Sequence, residues 1–484
     1  MSNKKSLIST AIAYGNANPH IGHAFEFVLA DTITRYKKQS EDIFFVTGMD
    51  EHGQKIEQKA KELGVTPQEL TQKSAQAFIN LDKELSVDYN FFVRTSNKEK
   101  HYTGAQFLWR KLVDANAIEK RKYKALYCIG CEEFKTEKDL NDAGECPLHR
   151  KAPEMIEEEN YFFKLSEYGT KIREKIATDE LKIYPESRKN EILAFLDRGL
   201  EDVSFSRPKS KVAWGIPVPG DDTQVMYVWC DALSNYITAL GYGTDVWKEK
   251  NEYWNDATHI IGKDILRFHA AIWPGMLLAA GLPLPKRILV HGFITSGGQK
   301  MSKTLGNVID PQELLEMFRG SCGELAGDAL RFVLLHEIPT FDDGDVTMET
   351  IKASYTAHLA NGIGNLTNRI MKMATSNKVS FTPELNDSNP LEETLEVFNI
   401  KKALEILMLK VGAIDLYIQT NEPFKKIKVE KTKDEALKEM SSLLKELHKT
   451  ASLLAVFMPS TSAKILDCIR ENKMPEKPLF ARIA

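Results

Sequence analysis

The chain has 484 residues, of which 43% are hydrophobic and 27% charged, which excludes a disordered or fibrous protein and favours roughly three globular domains. The net charge of −4 neither indicates nor excludes a polyphosphate ligand, because such a ligand needs a local basic patch. No run of about 18 apolar residues occurs, and the six cysteines are too few for a disulfide framework. We therefore expect a cytoplasmic protein without a membrane span or targeting peptide.

The first 48 residues are predicted to form a strand, a helix and a second strand. Leu7–Ile12 is strand-like, apolar residues after His20 recur at helical spacing, and Ile43–Thr47 reads as a second buried strand. This order predicts a βαβ unit and hence a parallel sheet. Two later strands, Thr258–Gly262 and Arg287–Gly292, are predicted to resume that sheet.

Between these parts, residues 118–222 are rich in charge, cysteine and turn residues, which predicts an inserted domain. Beyond residue 350 the pattern becomes helical, and apolar residues from Ile400 to Ile418 step by four and three. The predicted fold class is therefore α/β, with a Rossmann-like parallel sheet and an insertion, followed by an all-α helical bundle.

A pair of histidines stands where the first predicted strand gives way to its helix, in Pro19-His20-Ile21-Gly22-His23. Backbone N–H groups and the helix dipole favour anions there, so phosphate is the expected ligand. Two imidazoles one turn apart can donate to phosphate oxygens, and Gly22 lets an adenosine lie against the backbone. The alternative is a pair of capping or surface histidines.

A second motif, Gly297-Gly298-Gln299-Lys300-Met301-Ser302-Lys303-Thr304, follows the predicted strand that ends at Gly292. Its glycines suggest a hinge, and Lys300 and Lys303 can reach one polyphosphate once the loop closes. Taken alone, the segment also fits a solvated basic turn. Because both motifs follow strands, we expect them to face one crevice at the carboxyl edge of a parallel sheet.

Two cysteine-containing knuckles lie in the predicted insertion. Cys128 and Cys131 form the first, Cys146 and His149 form the second, and 14 residues separate the pairs. Four such ligands in two tight pairs predict a tetrahedral, structural Zn²⁺ site. Unligated, reduced cysteines are the alternative.

His-Ile-Gly-His together with Lys-Met-Ser-Lys-Thr resembles the paired signature of class I aminoacyl-tRNA synthetases, with Thr304 in place of the more usual serine. The resemblance covers essentially the whole chain and points to the methionine enzymes, including their single zinc knuckle. It implies activation of L-methionine with ATP and Mg²⁺ to methionyl-adenylate, release of pyrophosphate, and transfer of methionine to the 3′-terminal adenosine of tRNA(Met). The implied catalytic domain has two halves, at 1–117 and 223–292, and a zinc-bearing connective insertion lies between them at 118–222. A lysine-loop and stem-contact region follows at 293–354, and an anticodon-binding helical bundle occupies 355–484.

The resemblance also implies the site residues. Those expected at the phosphates and the nucleoside are His20, His23, Lys300 and Lys303, with Gly22, Gly262 and Asp264. Those expected around methionine are Ile12, Tyr14, Asp50, Trp229, Ala232, Leu233, Tyr236, His269 and Trp273. From spacing alone the aromatic residues fit core packing better, and Asp50 fits a turn or a helix cap equally well.

For the tRNA, Asn365 and Arg369 stand four residues apart, on one face of a predicted helix. The resemblance assigns them to the CAU anticodon, with Phe424 stacking on a splayed base. Relatives commonly carry Trp where this chain has Phe424, and the alternative is a core phenylalanine at a helix end.

Three alternatives to a methionine enzyme remain at this point. Synthetases for valine, isoleucine and leucine carry a large editing insertion, for which 484 residues leave no room. The cysteine enzyme has a cysteine ligand beside its first motif, which this chain lacks. A nucleotidyltransferase would lack the knuckles and the helical C-terminal half. A catalytically silent tRNA-binding protein would not need the intact motifs. We expect a monomer, because no dimerising module like that of some relatives follows the helices.

Overall fold

The computed structural model describes residues 4–131, 133–135, 137–148, 150–301, 307–381 and 389–483, with only the backbone of Glu133, Phe134, Lys138 and Lys300. Its strands are β1 Lys5–Thr10, β2 Ala13–Tyr14, β3 Asp42–Asp50, β4 Phe91–Arg94, β5 Ile118–Cys128, β6 Glu133–Lys135, β7 Glu154–Phe163, β8 Lys182–Tyr184, β9 Val203–Ser204, β10 Ser206–Pro208, β11 Pro217–Val218, β12 Asp221–Met226, β13 Ala257–Gly262, β14 Arg287–His291, β15 Ile294–Ser296, β16 Gln299–Lys300 and β17 Gly344–Asp345.

The α-helices in the same residues are α1 Ile21–Lys37, α2 Gln54–Leu63, α3 Pro67–Glu84, α4 Thr103–Asp114, α5 Gly169–Ala177, α6 Glu186–Leu196, α7 Val228–Thr238, α8 Val246–Trp254, α9 Trp273–Ala279, α10 Pro311–Cys322, α11 Ala326–Glu337, α12 Met348–Ser354, α13 Asn365–Ser376, α14 Glu392–Glu396, α15 Ile400–Asn421, α16 Pro423–Lys426, α17 Lys433–Leu454 and α18 Pro459–Glu471. Wider π-helical turns occupy Lys98–Tyr102, Phe268–Ile272 and Tyr355–Gly364.

The chain folds as two compact units. The first unit comprises the residues up to 18 together with 40–79 and 89–290, and the second comprises 19–39, 80–88 and the residues from 291 onward. The helix that carries the histidine motif therefore belongs to the second unit, although the strands before and after it belong to the first.

A parallel sheet forms the centre of the first unit, as the sequence predicted. Its order is β2-β3-β1-β13-β14-β8, and β4 also pairs with β3. β1 pairs in parallel with β3 on one side and with β13 on the other. Strand order thus reverses between β1 and β13, and ligands of open α/β sheets bind beyond the carboxyl ends of the strands at such a point.

The predicted insertion contributes a separate antiparallel sheet, in the order β6-β5-β7-β9. β5 and β7 pair continuously from Ile118 opposite Phe163 to Tyr127 opposite Glu154. Within the same stretch of chain, however, β8 pairs in parallel with β14 and extends the central sheet. Part of residues 118–222 therefore belongs to the central sheet and not to the insertion's own sheet.

The second unit combines α1, a small sheet and the helical C-terminal half. The small sheet has the order β16-β15-β17. In the bundle, α15 ends at Asn421, where the apolar periodicity stops, and it buries one face that includes Leu404, Leu407, Val411 and Ile418. The predicted bundle is confirmed.

A fully buried arginine connects several segments of the second unit. The Arg331 guanidinium of α11 pairs with Asp31 of α1 at 2.6 Å. It also donates to the carbonyl oxygens of Phe457, at 2.7 Å, and of Leu85, at 3.1 Å. These bonds satisfy a charge that would be costly to bury alone.

Among the described residues, the longest and most apolar helices fall short of what a bilayer crossing requires.

Candidate active site

His20 caps the N-terminus of α1. Its Nδ1 accepts hydrogen bonds from the backbone N–H groups of Gly22, at 3.1 Å, and of His23, at 3.4 Å. The His20 N–H in turn donates to Nδ1 of His23 at 3.2 Å, which completes a reciprocal capping box. The structure thus shows the capping role that the sequence offered as the alternative, and phosphate binding by the two histidines stays a prediction.

Capping and phosphate binding are compatible in this arrangement. An imidazole that accepts at Nδ1 and is neutral carries its proton on Nε2, so the N–H donor of His20 and of His23 is at Nε2. Their rings stack with centroids 3.7 Å apart. Burial, together with the neighbouring imidazoles of His20 and His291, lowers the pKa of His23 well below its usual value, which keeps it in this neutral form.

Gly22 leaves room for the ring of its neighbour His20. A Cβ at this position would lie 2.9 Å from Cε1 of the His20 ring, closer than van der Waals contact allows. Any larger residue at position 22 would therefore displace the capping ring.

The two glycines of the second motif form the turn between β15 and β16. Gly297 and Gly298 have φ values of 62° and 71°, which are left-handed and suit glycine. The Asp345 carboxylate holds this turn, because it accepts from the N–H of Gly298 and the hydroxyl of Thr295, each at 2.8 Å. The expected hinge is a tight hairpin turn. The backbone of Lys300 lies in β16, whereas Lys303 and Thr304 lie outside the described residues.

In the first unit, Tyr236 and His269 form a buried polar pair among aromatic rings. Nδ1 of His269 donates to the carbonyl oxygen of Ile265 at 3.0 Å. Nε2 is then the acceptor, and the Tyr236 hydroxyl donates to it at 2.6 Å. Burial lowers the pKa of His269 to about 4, so the ring is neutral at physiological pH.

His259 fixes the other side of Tyr236. The two rings lie 4.1 Å apart between centroids. Nε2 of His259 accepts from the Trp273 indole N–H at 3.2 Å, so its proton is on Nδ1, which donates to Ser9 Oγ at 2.7 Å. Ser9 and His259 face each other across β1 and β13, and α7 and α9 are thereby tied to the centre of the sheet.

Trp229 stacks on Phe268, with ring centroids 3.6 Å apart and an angle of 9° between the planes. Both side chains are half-buried and pack against the core cluster that contains Leu233, Tyr236 and Trp273. Ala232 is also buried, and Ile12 is half-buried just beyond β1. Tyr236, His269 and Trp273 therefore share one aromatic region, and Trp229, Ala232 and Leu233 lie on the same helix as Tyr236.

Asp50 is the last residue of β3 and is 7% exposed. It lies opposite Tyr14 in the pairing of β2 with β3, so both stand at the carboxyl edge of the sheet. A buried carboxylate at this edge is suited to an ammonium group. Gly262 ends β13 at the same edge and is buried, and Asp264 follows on an exposed turn.

The three cysteines of the predicted zinc site converge. The Sγ atoms of Cys128, Cys131 and Cys146 lie within 4.8 Å of one another, and none of them is in a disulfide. Burial raises the pKa of Cys131, whose thiolate a bound cation would stabilise. Three sulfur donors at this spacing fit Zn²⁺. The fourth predicted ligand, His149, lies outside the described residues.

The residues expected to read the anticodon occupy the bundle. Asn365 begins α13 and is exposed, while Arg369, one turn later, pairs with Asp415 of α15. Gln419 donates to the same carboxylate at 2.5 Å. Phe424, in α16, is 38% exposed, so it is not the core phenylalanine of the alternative interpretation.

Three polar residues of the first unit were missed in the sequence. Asp231 is fully buried in α7 and is bonded to both His52 and His101. These contacts span 179 and 130 residues, so no local motif announces them. The available signal was charge in an otherwise apolar run, Trp229-Cys230-Asp231-Ala232-Leu233.

Comparison with known proteins identifies similar chains over almost the full length. The family model described as tRNA synthetases class I (M) matches residues 6–152 and 138–371. The methionine–tRNA ligase of Brucella melitensis biotype 1 is 37% identical over 488 residues, covering 97% of this chain and 92% of that protein. That of Clostridium perfringens is 39% identical over 482 residues, covering 96% of this chain and 73% of that protein.

Solved structures agree with these sequence relatives. Methionyl-tRNA synthetase of Mycobacterium tuberculosis in complex with methionyl-adenylate has a TM-score of 0.89 and 31% identity, covering 99% of this chain and 97% of that chain. The apo form of the same enzyme has a TM-score of 0.80 and 30% identity, covering 100% of this chain and 95% of that chain.

Proposed function

The chain belongs to the methionyl-tRNA synthetases of class I, and from that premise we propose which of its residues bind methionine, ATP and tRNA. The reaction has two steps. L-Methionine and ATP form methionyl-adenylate and pyrophosphate, and methionine then passes to the 3′-terminal adenosine of tRNA(Met).

The methionine side chain is proposed to enter the aromatic region around Tyr236 and His269. The observation that carries this assignment is the neutral His269, whose two ring nitrogens are both hydrogen-bonded within the protein. A pocket of aromatic rings with satisfied polar groups suits an uncharged, polarizable thioether, and each sulfur–aromatic contact contributes about 1 kcal/mol. An amino-acid substrate with a charged side chain would find no counter-ion in Tyr236 or in the neutral His269.

The remaining first-unit residues are assigned by the position they occupy. Asp50 accepts the substrate ammonium and so orients the carboxylate. Ile12, Tyr14, Trp229, Ala232, Leu233 and Trp273 enclose the side chain, and Gly262 and Asp264 bind the adenosine, with the Asp264 carboxylate accepting from a ribose hydroxyl.

Catalysis of the first step is proposed to rest on positioning and electrostatics. The methionine carboxylate is already ionised at neutral pH and attacks the α-phosphorus of ATP in line, while pyrophosphate leaves with the electron pair of the broken P–O bond. His20 and His23 donate their Nε2–H groups to phosphate oxygens. Lys300 and Lys303 stabilise the charge that develops on the leaving group, and Mg²⁺ enters as the ATP complex.

Zinc is proposed to be structural. Cys128, Cys131, Cys146 and His149 would hold one ion, which ties the turn after β5 to the segment before β7. With four protein ligands the ion has no open position, so it would stabilise the insertion without taking part in the reaction.

The bundle is proposed to read the anticodon. Asp415 orients the Arg369 fork, Asn365 offers an amide on the same helix, and the exposed Phe424 ring offers a stacking surface. The assigned regions are 1–117 and 223–292 for catalysis, 118–222 for the connective insertion apart from β8, which joins the central sheet, 293–354 for the lysine loop and stem contacts, and 355–484 for the anticodon. We further propose a monomer that acts in the cytoplasm.

The experiment that tests the catalytic assignment is methionine-dependent ATP–pyrophosphate exchange with Lys303→Ala. Loss of one charge-stabilising donor is expected to lower kcat by about 10²–10³-fold. Lys248→Ala is the matched control, because Lys248 is 80% exposed and its ion-pair partner among the described residues is Asp245, three residues earlier. Undiminished exchange in Lys303→Ala would contradict the assignment.

A further inference from the structure

A buried three-residue network joins two parts of the first unit that the proposed function assigns to different ends of methionine. Asp231 Oδ2 lies 2.6 Å from Nδ1 of His52, and Asp231 Oδ1 lies 2.6 Å from Nε2 of His101. The three side chains are at most 2% exposed. Both bonds are short and charge-assisted, which makes them stronger than ordinary neutral hydrogen bonds.

The outer atoms of the two histidines are also bonded. Nε2 of His52 lies 3.1 Å from the Tyr102 hydroxyl, and Nδ1 of His101 lies 2.8 Å from the hydroxyl of Thr238, at the end of α7. His101 and Tyr102 reach these partners from the π-helical turn Lys98–Tyr102. Wider turns of this kind are rare and recur at functional sites, where they redirect side chains.

Asp231 carries a negative charge within the network. Burial by itself would raise the pKa of this carboxyl, but the adjacent histidines hold it below its usual value, so Asp231 is ionised. A carboxylate only accepts, so the protons in both short bonds lie on the histidines. The N-terminal turn of α7, where Asp231 stands, favours the same negative charge.

The network is placed between the two recognition elements for methionine. His52 follows Asp50 by two residues, and its backbone N–H lies 3.5 Å from Asp50 Oδ1. Asp231 stands within the part of α7 that carries Trp229 and Tyr236. The bond from His52 to Asp231 therefore links the end of β3, proposed to bind the ammonium, to the helix proposed to bind the side chain.

We propose that Asp231, through His52 and His101, is a positioning residue that sets the separation between the ammonium site at Asp50 and the side-chain pocket on α7. The network then determines the length of amino acid that fits, and so contributes to selection of methionine over shorter homologues. The inference rests on the proposed function, because it uses the assignments of Asp50 and α7.

Asp231→Asn tests the proposal in the exchange assay, since asparagine keeps the shape and removes the charge. The KM for methionine is expected to rise about 10–100-fold, as small misplacements of recognition groups do, while the KM for ATP stays at the wild-type value. Discrimination against S-methylcysteine, which is shorter by one methylene and normally disfavoured about 10–200-fold, is expected to narrow. If the network only stabilised the fold, Asp231→Asn would not raise the KM for methionine while leaving the KM for ATP unchanged. It would also leave the preference for methionine over S-methylcysteine unchanged.

A second pair of variants keeps the test decisive if Asp231→Asn does not fold. His52→Asn retains an N–H donor near the position of Nδ1 and should behave as the wild type, whereas His52→Leu lacks the donor and should raise the methionine KM. The positioning role would be overturned, and the proposed function left intact, by either of two results for His52→Leu. One is a wild-type KM for methionine with wild-type discrimination against S-methylcysteine, and the other is an equal rise in the KM values for methionine and ATP. Absence of methionine-dependent exchange in the wild type would overturn both.

Discussion

The protonation of His269 follows from its neighbours, because Nδ1 donates to a carbonyl and Nε2 accepts from a tyrosine. A second proton would have to displace the Tyr236 bond. The residue is therefore a fixed dipole in the proposed pocket and not a titrating base at neutral pH. This detail could not be predicted from the sequence, because it depends on Ile265 and Tyr236, which approach the ring only in the folded chain.

This state of His269 predicts a pH-dependent stability. The pKa of His269 is 6.5 in the unfolded chain, the ordinary value for histidine, and about 4 in the folded chain. Between these two pH values the unfolded chain binds a proton at this residue that the folded chain does not. The free energy of unfolding therefore falls as pH falls through this window, by on the order of 3 kcal/mol in all.

Urea unfolding of the wild type and of His269→Gln, at pH 7 and at pH 4, measures the effect. Other titrating groups are common to both proteins. The difference in free energy of unfolding between the wild type and His269→Gln should therefore shrink by on the order of 3 kcal/mol from pH 7 to pH 4. An advantage independent of pH would contradict a neutral, buried His269.

Single-residue features that depend on nearby residues are the ones that the sequence can indicate. The capping bonds of His20 lie within three residues, and the left-handed φ of Gly297 and Gly298 suits the glycines found there. The carboxylate that holds this turn, however, comes from Asp345, 47 residues from Gly298. The network of His52, His101 and Asp231 likewise joins residues distant in sequence. Its members meet only because β3, the Lys98–Tyr102 turn and α7 come together in the first unit.

At the scale of elements, strongly periodic segments were predicted well. α15 ends at Asn421, where the sequence pattern stops, and the strand preceding the histidine motif lies in the centre of the sheet. β8 was missed because it has three residues and pairs with β14, which follows it by about a hundred positions. The π-helical turns were also missed, because their geometry is set by packing and leaves no spacing signature.

The cysteine cluster of the insertion predicts one zinc ion per chain. Metal analysis of the purified protein should give a zinc content near one, and Cys146→Ser should reduce it strongly, because Sγ of Cys146 lies 3.5 Å from that of Cys131. Cys468→Ser is the matched control, since this half-buried cysteine lies in α18. Equal zinc contents in the two variants would contradict the site.

At the scale of the whole molecule, the second unit is joined by contacts distant in sequence. Arg331 reaches Phe457 across 126 residues and Thr32 across 299. A sequence pattern identifies α11 and α1 as helices but not the arginine between them. A buried guanidinium–carboxylate pair matters for stability mainly because removing one partner leaves the other charge buried without it.

Arg331→Met is expected to lower the free energy of unfolding by about 3 kcal/mol. The buried Asp31 carboxylate would keep only Arg35 of its two guanidinium partners, and the carbonyl oxygens of Leu85, Val456 and Phe457 would lose the donor that Arg331 provides. Denaturant unfolding followed by circular dichroism measures the loss. Lys464→Met, which breaks an exposed pair with Glu324, should cost less than about 1 kcal/mol. Similar losses in both variants would contradict the role assigned to Arg331.

The central claim, that this chain activates methionine, is tested most directly by ATP–pyrophosphate exchange with each of the twenty amino acids in turn. The structure and the family together predict rapid exchange with methionine and only background rates with the others, including valine, isoleucine, leucine and cysteine. Rapid exchange with a different amino acid, or none with methionine, would contradict the claim.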